Sequence, residues 1–182
     1  MLRMLFISLA LIVTAPAALA DHRHIDSPEA LVTQAAADIS KSDRTHIADT
    51  MLSHVDTRAI ANFTLGRYGA GLSAADKTRF IRAFESYLHR QIEANAHQFS
   101  GVEVSVTDTK ARNARDAIVT TEIRGAGDSL KVRWRVIERK GSWSVVDLEV
   151  AGIWLAIEQR AQVAAILSRP GADIDALIVQ LG

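Results

Sequence analysis

The sequence contains no cysteine. This excludes disulfides, a thiol nucleophile and the lipidated cysteine of a lipoprotein. Folding must therefore rest on an apolar core. An excess of one charge is also missing, because 21 basic residues face 21 acidic ones. Nothing in that balance points to a nucleic-acid binder. No apolar run is long enough to span a bilayer, since the strongest, Leu5 to Val13, is too short. G-x-S-x-G, a Gly-rich phosphate loop and H-E-x-x-H are all absent.

What is present begins with an address. "MLRMLFISLALIVTAPAALA" has one cation, Arg3, then the short apolar run, then the small-residue signal Ala18-Leu19-Ala20. This is the layout of a cleavable secretory signal, residues 1–20, with cleavage expected before Asp21. Removing twenty residues from 182 leaves 162. That length suits one domain, 21–182, with a sizeable core. An exported chain without cysteine fits a bacterial periplasm better than eukaryotic secretion.

Turn and cap signals divide this domain into helices over 27–98, strands over 102–150 and helices over 153–181. Ser27-Pro28-Glu29 is a helix start. Asp43 and Asp56 can cap a second and a third helix, and Gly66 ends the third. Ser73 with Asp76 resembles a capping box. The long helix behind it carries Phe80, Phe84, Tyr87, Leu88 and Ile92 at spacings of three and four, one apolar stripe. After Gly101 the period becomes two. Four strands are expected: one from Val102, then "RDAIVTTEIRG", "SLKVRWRVIER" and "WSVVDLEV". In the third, Leu130, Val132, Trp134 and Val136 share one face, and Lys131, Arg133 and Arg135 the other. Gly152 then releases the chain into a helix, and Asp173 caps a last one. The order predicts an α+β fold, an antiparallel four-stranded meander with helices on one face and at one end.

Candidates for chemistry are few. His89 and His97 lie two turns apart, too far for one metal ion, and read as surface residues. His22, second in the expected mature chain, could join the free amine in weak copper or nickel binding, but a loose terminus, "DHRHID", is the simpler reading. Asp147 and Glu149 fall on the face of Trp143 and Val145, unless a bulge intervenes. There a carboxylate either acts as a base or satisfies backbone donors and cations. The basic row could meet anionic headgroups or an acidic partner, or form the solvated side of its strand.

Two segments carry a family resemblance. "IANFTLGRYGAGLSAADKTRFIRAFESYL", Ile60 to Leu88, is similar to a signature of the MlaC, or toluene-tolerance auxiliary, family. In it a helix ends in Leu-Gly, an aromatic follows a cation, and a long helix repeats Phe. "WSVVDLEVAGIWLAIEQRAQVAAIL", Trp143 to Leu167, resembles the family's Trp-x-Val-x-Asp strand followed by Gly and an apolar helix containing an Arg. Trp154 stands where relatives commonly carry Ser, and Gln159 where Tyr is common.

The resemblance implies a periplasmic phospholipid-binding protein with an NTF2-like curved sheet and a helical subdomain enclosing the acyl chains. It implies two partners, an outer-membrane lipoprotein complex and an inner-membrane ABC transporter complex, between which lipid is shuttled. A branch of the family accompanies hopanoid genes, so a hopanoid-type cargo is the alternative lipid. A small-molecule enzyme of isomerase or hydratase type on the same scaffold is the other alternative. It would need a titratable group deep in the pocket, for which Asp147, Glu85 and Glu158 are on offer. No enzyme activity, cofactor or metal is expected, and a monomer is.

Each methylene taken from bilayer to water costs about 0.8 kcal/mol. A carrier therefore needs a deep apolar slot and no nucleophile. The expected lining is Phe80, Phe84, Leu88 and Ile92 from the stripe, Trp134 and Val136 from the sheet, and Ile153, Trp154 and Ile157 at the last strand-to-helix join. Phe63, Leu65 and Tyr68, within the first resembling segment, complete the expected lipid-binding set. Arg160 is expected to brace the fold, with Asp147 as one possible partner.

Overall fold

Four side chains hold the helix starts where the sequence puts them. The computed structural model describes residues 26–99, 101–125 and 129–182. The expected signal, His22 and His24 lie outside these residues. Ser27 accepts from the Ala30 N–H at 3.0 Å and opens α1, Pro28–Lys41. Asp56 opens α3, Thr57–Leu65, by accepting from Ala59 at 2.9 Å. Ser73 opens α4, Ala74–Ala94, with a hydroxyl that accepts from the Asp76 N–H and donates to its carboxylate at 2.7 Å. Asp173 opens α6, Ile174–Leu181. Asp43 behaves differently. It accepts from the Thr45 and His46 amides, closing a turn ahead of α2, so that α2 (Ile47–Ser53) starts three residues later than a cap there would place it. Gly66–Gly71, "GRYGAG", forms a 3-10 helix directly after α3.

Among the described residues the sheet has five strands, one more than expected: β1 Glu103–Asn113, β2 Asp116–Arg124, β3 Leu130–Arg139, β4 Ser142–Val150 and β5 Ile153–Trp154. They pair antiparallel in chain order. The extra strand comes from a second tight turn. Lys140 and Gly141 both have positive φ, 53° and 82°, as a two-residue hairpin turn between β3 and β4 requires. Ala151 and Gly152 repeat this at 51° and 83°. Ile153 and Trp154 are thus turned back onto Val150 and Glu149, and α5 (Leu155–Leu167) begins only afterwards. The expected helix start at residue 153 is corrected accordingly.

A bulge in β4 decides which side chains share a face. Val136 pairs with Val145 but Arg135 pairs with Asp147, so Val146 is an extra residue. Beyond it the alternation inverts. Trp143, Val145, Leu148 and Val150 pack in one apolar cluster, while Asp147 and Glu149 lie opposite Arg135 and Arg133. The two carboxylates leave the face of Trp143 and Val145 for the basic face.

Burial falls into separate cores. Leu31 and Val32 of α1 pack on Val119, Val132, Trp134 and Val136 of the sheet. Leu65, Phe80, Phe84, Val163 and Leu177 make a second core among α3, α4, α5 and α6. A small third group, Ile39, Ile47 and Ala96, links the end of α1, the start of α2 and the short 3-10 helix Ala96–Phe99 that follows α4. Within the sheet core, the buried Trp134 indole N–H donates to Thr121 Oγ1 at 2.9 Å. Thr121→Val would leave that donor without a partner. We expect a loss of about 1–3 kcal/mol in unfolding free energy, read by urea denaturation, with Thr121→Ser largely retaining it.

Candidate functional site

An apolar cavity of about 120 Å³ opens where the sheet core meets the helical core. Each layer supplies a wall. Ala35 and Ile39 come from α1, Met51 and Leu52 from α2, and Phe84, Leu88 and Ile92 from α4. Trp134, Val145 and Leu148 come from the sheet, and Leu155 and Ala156 from the first turn of α5.

The polar groups in this wall have structural partners. His54 Nε2 lies 3.1 Å from Asp38 Oδ2. The Gln159 amide reaches the Tyr87 hydroxyl at 3.5 Å. Asp147, only 6% exposed, accepts through one oxygen from the N–H groups of Leu148 and Ala156, both at 2.8 Å. The last of these bonds matters for shape. Trp154, at the N-cap of α5, offers no side-chain acceptor, so the cap is supplied from β4. Burial pushes the Asp147 carboxyl above its ordinary pKa, opposed by those two amides and by the Arg135 charge.

The expected lining divides. Phe84, Leu88, Ile92 and Trp134 face the cavity. Leu65 and Phe80 are buried in the helical core and Val136 in the sheet core. Tyr68 sits half-buried in the 3-10 helix, where its hydroxyl accepts from Arg67 at 2.9 Å. Ile153 is exposed on the edge strand. Phe63, Trp154 and Ile157 line a second recess, a groove of about 530 Å³ on the basic face of the sheet. Arg160 lies 4.9 Å over the Phe63 ring rather than on Asp147, and it crowds Gly66, where a Cβ would come within 2.9 Å of its Nε. It braces α5 against the end of α3.

Met51, Leu52, Ile60, Leu148 and Leu155 also line the cavity, and none belongs to the expected set. The short α2 carries too few turns to show a stripe. The β4 bulge hides the direction of Leu148.

The architecture matches a solved protein. A phospholipid-binding protein from Ralstonia solanacearum, in complex with a phospholipid, superimposes with a TM-score of 0.73 at 18% identity, over 84% of this chain and 93% of that one. At that identity the likeness speaks for the fold alone. No curated protein matches. The family model described as MlaC protein matches residues 29–182, both resembling segments included. With the fold and the sequence in agreement, this chain belongs to the MlaC family.

Proposed function

We propose that this protein is a periplasmic carrier that holds phospholipid acyl chains in the apolar cavity. In this reading it moves them between an outer-membrane lipoprotein complex and an inner-membrane ABC transporter. The leader-like first twenty residues and the family support the compartment and the partners. The phospholipid in the Ralstonia solanacearum protein supports the cargo. The observation that carries the reading is where the cavity lies: between two separately packed cores rather than inside one. Pockets for drug-sized ligands run to roughly 300–1,000 Å³, more than the 120 Å³ here. An acyl chain must therefore part the two layers. Parting them leaves each core's own packing intact, and every buried methylene returns about 0.8 kcal/mol.

Chemistry is poorly served by the same site. Glu85 and Glu158 are exposed, and Asp147 spends one carboxylate oxygen on two backbone amides while the Arg135 charge acts on the group.

Native mass spectrometry and lipid extraction of the protein purified from cells test the proposal. Phospholipid bound in unit stoichiometry is expected, exchangeable with vesicles. A mass equal to the polypeptide alone, together with no uptake from vesicles, would refute it.

A further inference from the structure

The groove on the opposite face of the sheet has its own chemistry. Its charged lining comes from Arg112 of β1, Arg133, Arg135 and Arg139 of β3, and Asp147. Each arginine is held by a carboxylate. Arg112 and Arg135 share Asp116, both at 3.0 Å, while Arg133 holds Glu149 and Arg139 holds Asp56, each at 2.6 Å. Taken as pairs these charges look spent, but their depths differ. The arginine side chains are 34–55% exposed, whereas those of Asp116, Glu149 and Asp56 are 12–24% exposed and do not line the groove. The acids lie beneath and the guanidinium groups above. Each guanidinium has five N–H donors and spends one or two on its acid. Asp147, the one carboxylate in the lining among the described residues, turns an oxygen to the Leu148 and Ala156 amides.

One flank is apolar. Trp154 lies under Arg133, 5.4 Å from guanidinium to ring, with Phe63 and Ile157 beside it. Clustered donors next to an aromatic and aliphatic wall suit a phosphate attached to an apolar body. The volume of about 530 Å³ is that of a small-ligand site.

We propose that this groove is a second ligand site, for a phosphate-bearing amphiphile, separate from the apolar cavity. Asp147 and Ala156 line both recesses, and the hydrogen bond between them closes the wall that keeps the two apart.

The proposal is tested with octyl phosphate as the probe, octyl glucoside as its uncharged counterpart and inorganic phosphate as the headgroup alone. The Trp154 and Trp134 indole N–H signals in NMR spectra report the groove and the cavity respectively. Octyl phosphate should shift Trp154 before Trp134 and bind at least tenfold more tightly than either control. Removing one whole ion pair, Arg133→Gln with Glu149→Gln, leaves no buried carboxylate unpaired and should weaken octyl phosphate at least fivefold. Ile157→Glu places an acid in the groove at an exposed position in the first turn of α5, where acids are favoured. It should weaken binding similarly in a folded protein. Both variants should keep their co-purified phospholipid, which distinguishes failure of this site from failure of the carrier reading. Equal affinity for octyl glucoside, a first response at Trp134, or unchanged binding in both variants would overturn the proposal. Inorganic phosphate binding as tightly as octyl phosphate would overturn the amphiphile and leave a free-anion site.

Discussion

Asp147→Ala is expected to lower the unfolding free energy by about 2–4 kcal/mol, against little change for Asp147→Asn. Asp147 does from β4 what an N-cap does from inside a helix. Its oxygen accepts the Ala156 N–H in the first turn of α5, where Trp154 has nothing to offer. The buried Ala156 donor left without a partner costs about 1–3 kcal/mol, and losing the second bond to this oxygen, from the half-buried Leu148 amide, adds about 1 kcal/mol. Ala156 is buried, so water cannot replace the missing oxygen. Asparagine retains a carbonyl at the same place. Urea denaturation gives the free energies, and amide exchange at Ala156 gives the location. An alanine variant within about 0.5 kcal/mol of the parent would show that α5 starts without this bond.

The same pair of proteins carries a pH signature. Burial raises the folded-state pKa of Asp147 above its ordinary value of 3.8. A raised pKa means that the folded protein binds the proton more tightly than the unfolded chain does. The associated stability is fully present below the ordinary value and is lost as pH rises through the folded one. The parent should therefore gain on Asp147→Asn as pH falls from neutral towards 4. A parent that instead loses stability relative to Asp147→Asn over that range would mean that the amides and Arg135 outweigh burial.

Four of the helix starts are legible in the sequence for a local reason. Ser27, Asp56, Ser73 and Asp173 cap with their own side chains, within three residues of the amides they hold. The meander is legible too, because period-two alternation survives in β3 and because a glycine, Gly141, stands in the turn that follows it. What escapes the sequence depends on single-residue events that alternation cannot report. The extra Val146 in β4 reverses the facing of Asp147, Leu148 and Glu149. Ala151 takes a positive φ that its side chain does not advertise, so β5 leaves no mark in the sequence, and Trp154 lines the groove rather than the cavity expected for it. The α4 stripe shows a further limit. Phe80 and Leu88 lie on one face at helical spacing, yet α4 runs from the helical core past the cavity. Its early positions are buried by α3 and α6, while its later ones line the cavity. Periodicity gives the face of a helix and says nothing about what covers each end.

Leu155→Asp should reduce co-purified phospholipid at least tenfold while leaving the protein folded. Leu155 is the first residue of α5, partly exposed, with its side chain at the cavity wall. An acid at a helix N-terminus gains about 0.3–1 kcal/mol from the helix dipole. That offsets part of the apolar packing that leucine provides, so the unfolding free energy should stay within about 1 kcal/mol of the parent. The acyl chain has no such compensation. Two or three of its methylenes are no longer covered, at about 0.8 kcal/mol each, and the new carboxylate is partly desolvated by the chain beside it. Together these exceed the roughly 1.4 kcal/mol that separates one decade of affinity from the next. Ile157→Glu is the control for direction, because it adds the same charge two residues further on but faces the groove. A protein that loses lipid with Leu155→Asp and keeps it with Ile157→Glu holds its cargo between the two cores. Equal loss in both would instead implicate the general charge of this corner, and undiminished lipid in Leu155→Asp would remove the cavity from the account of carriage.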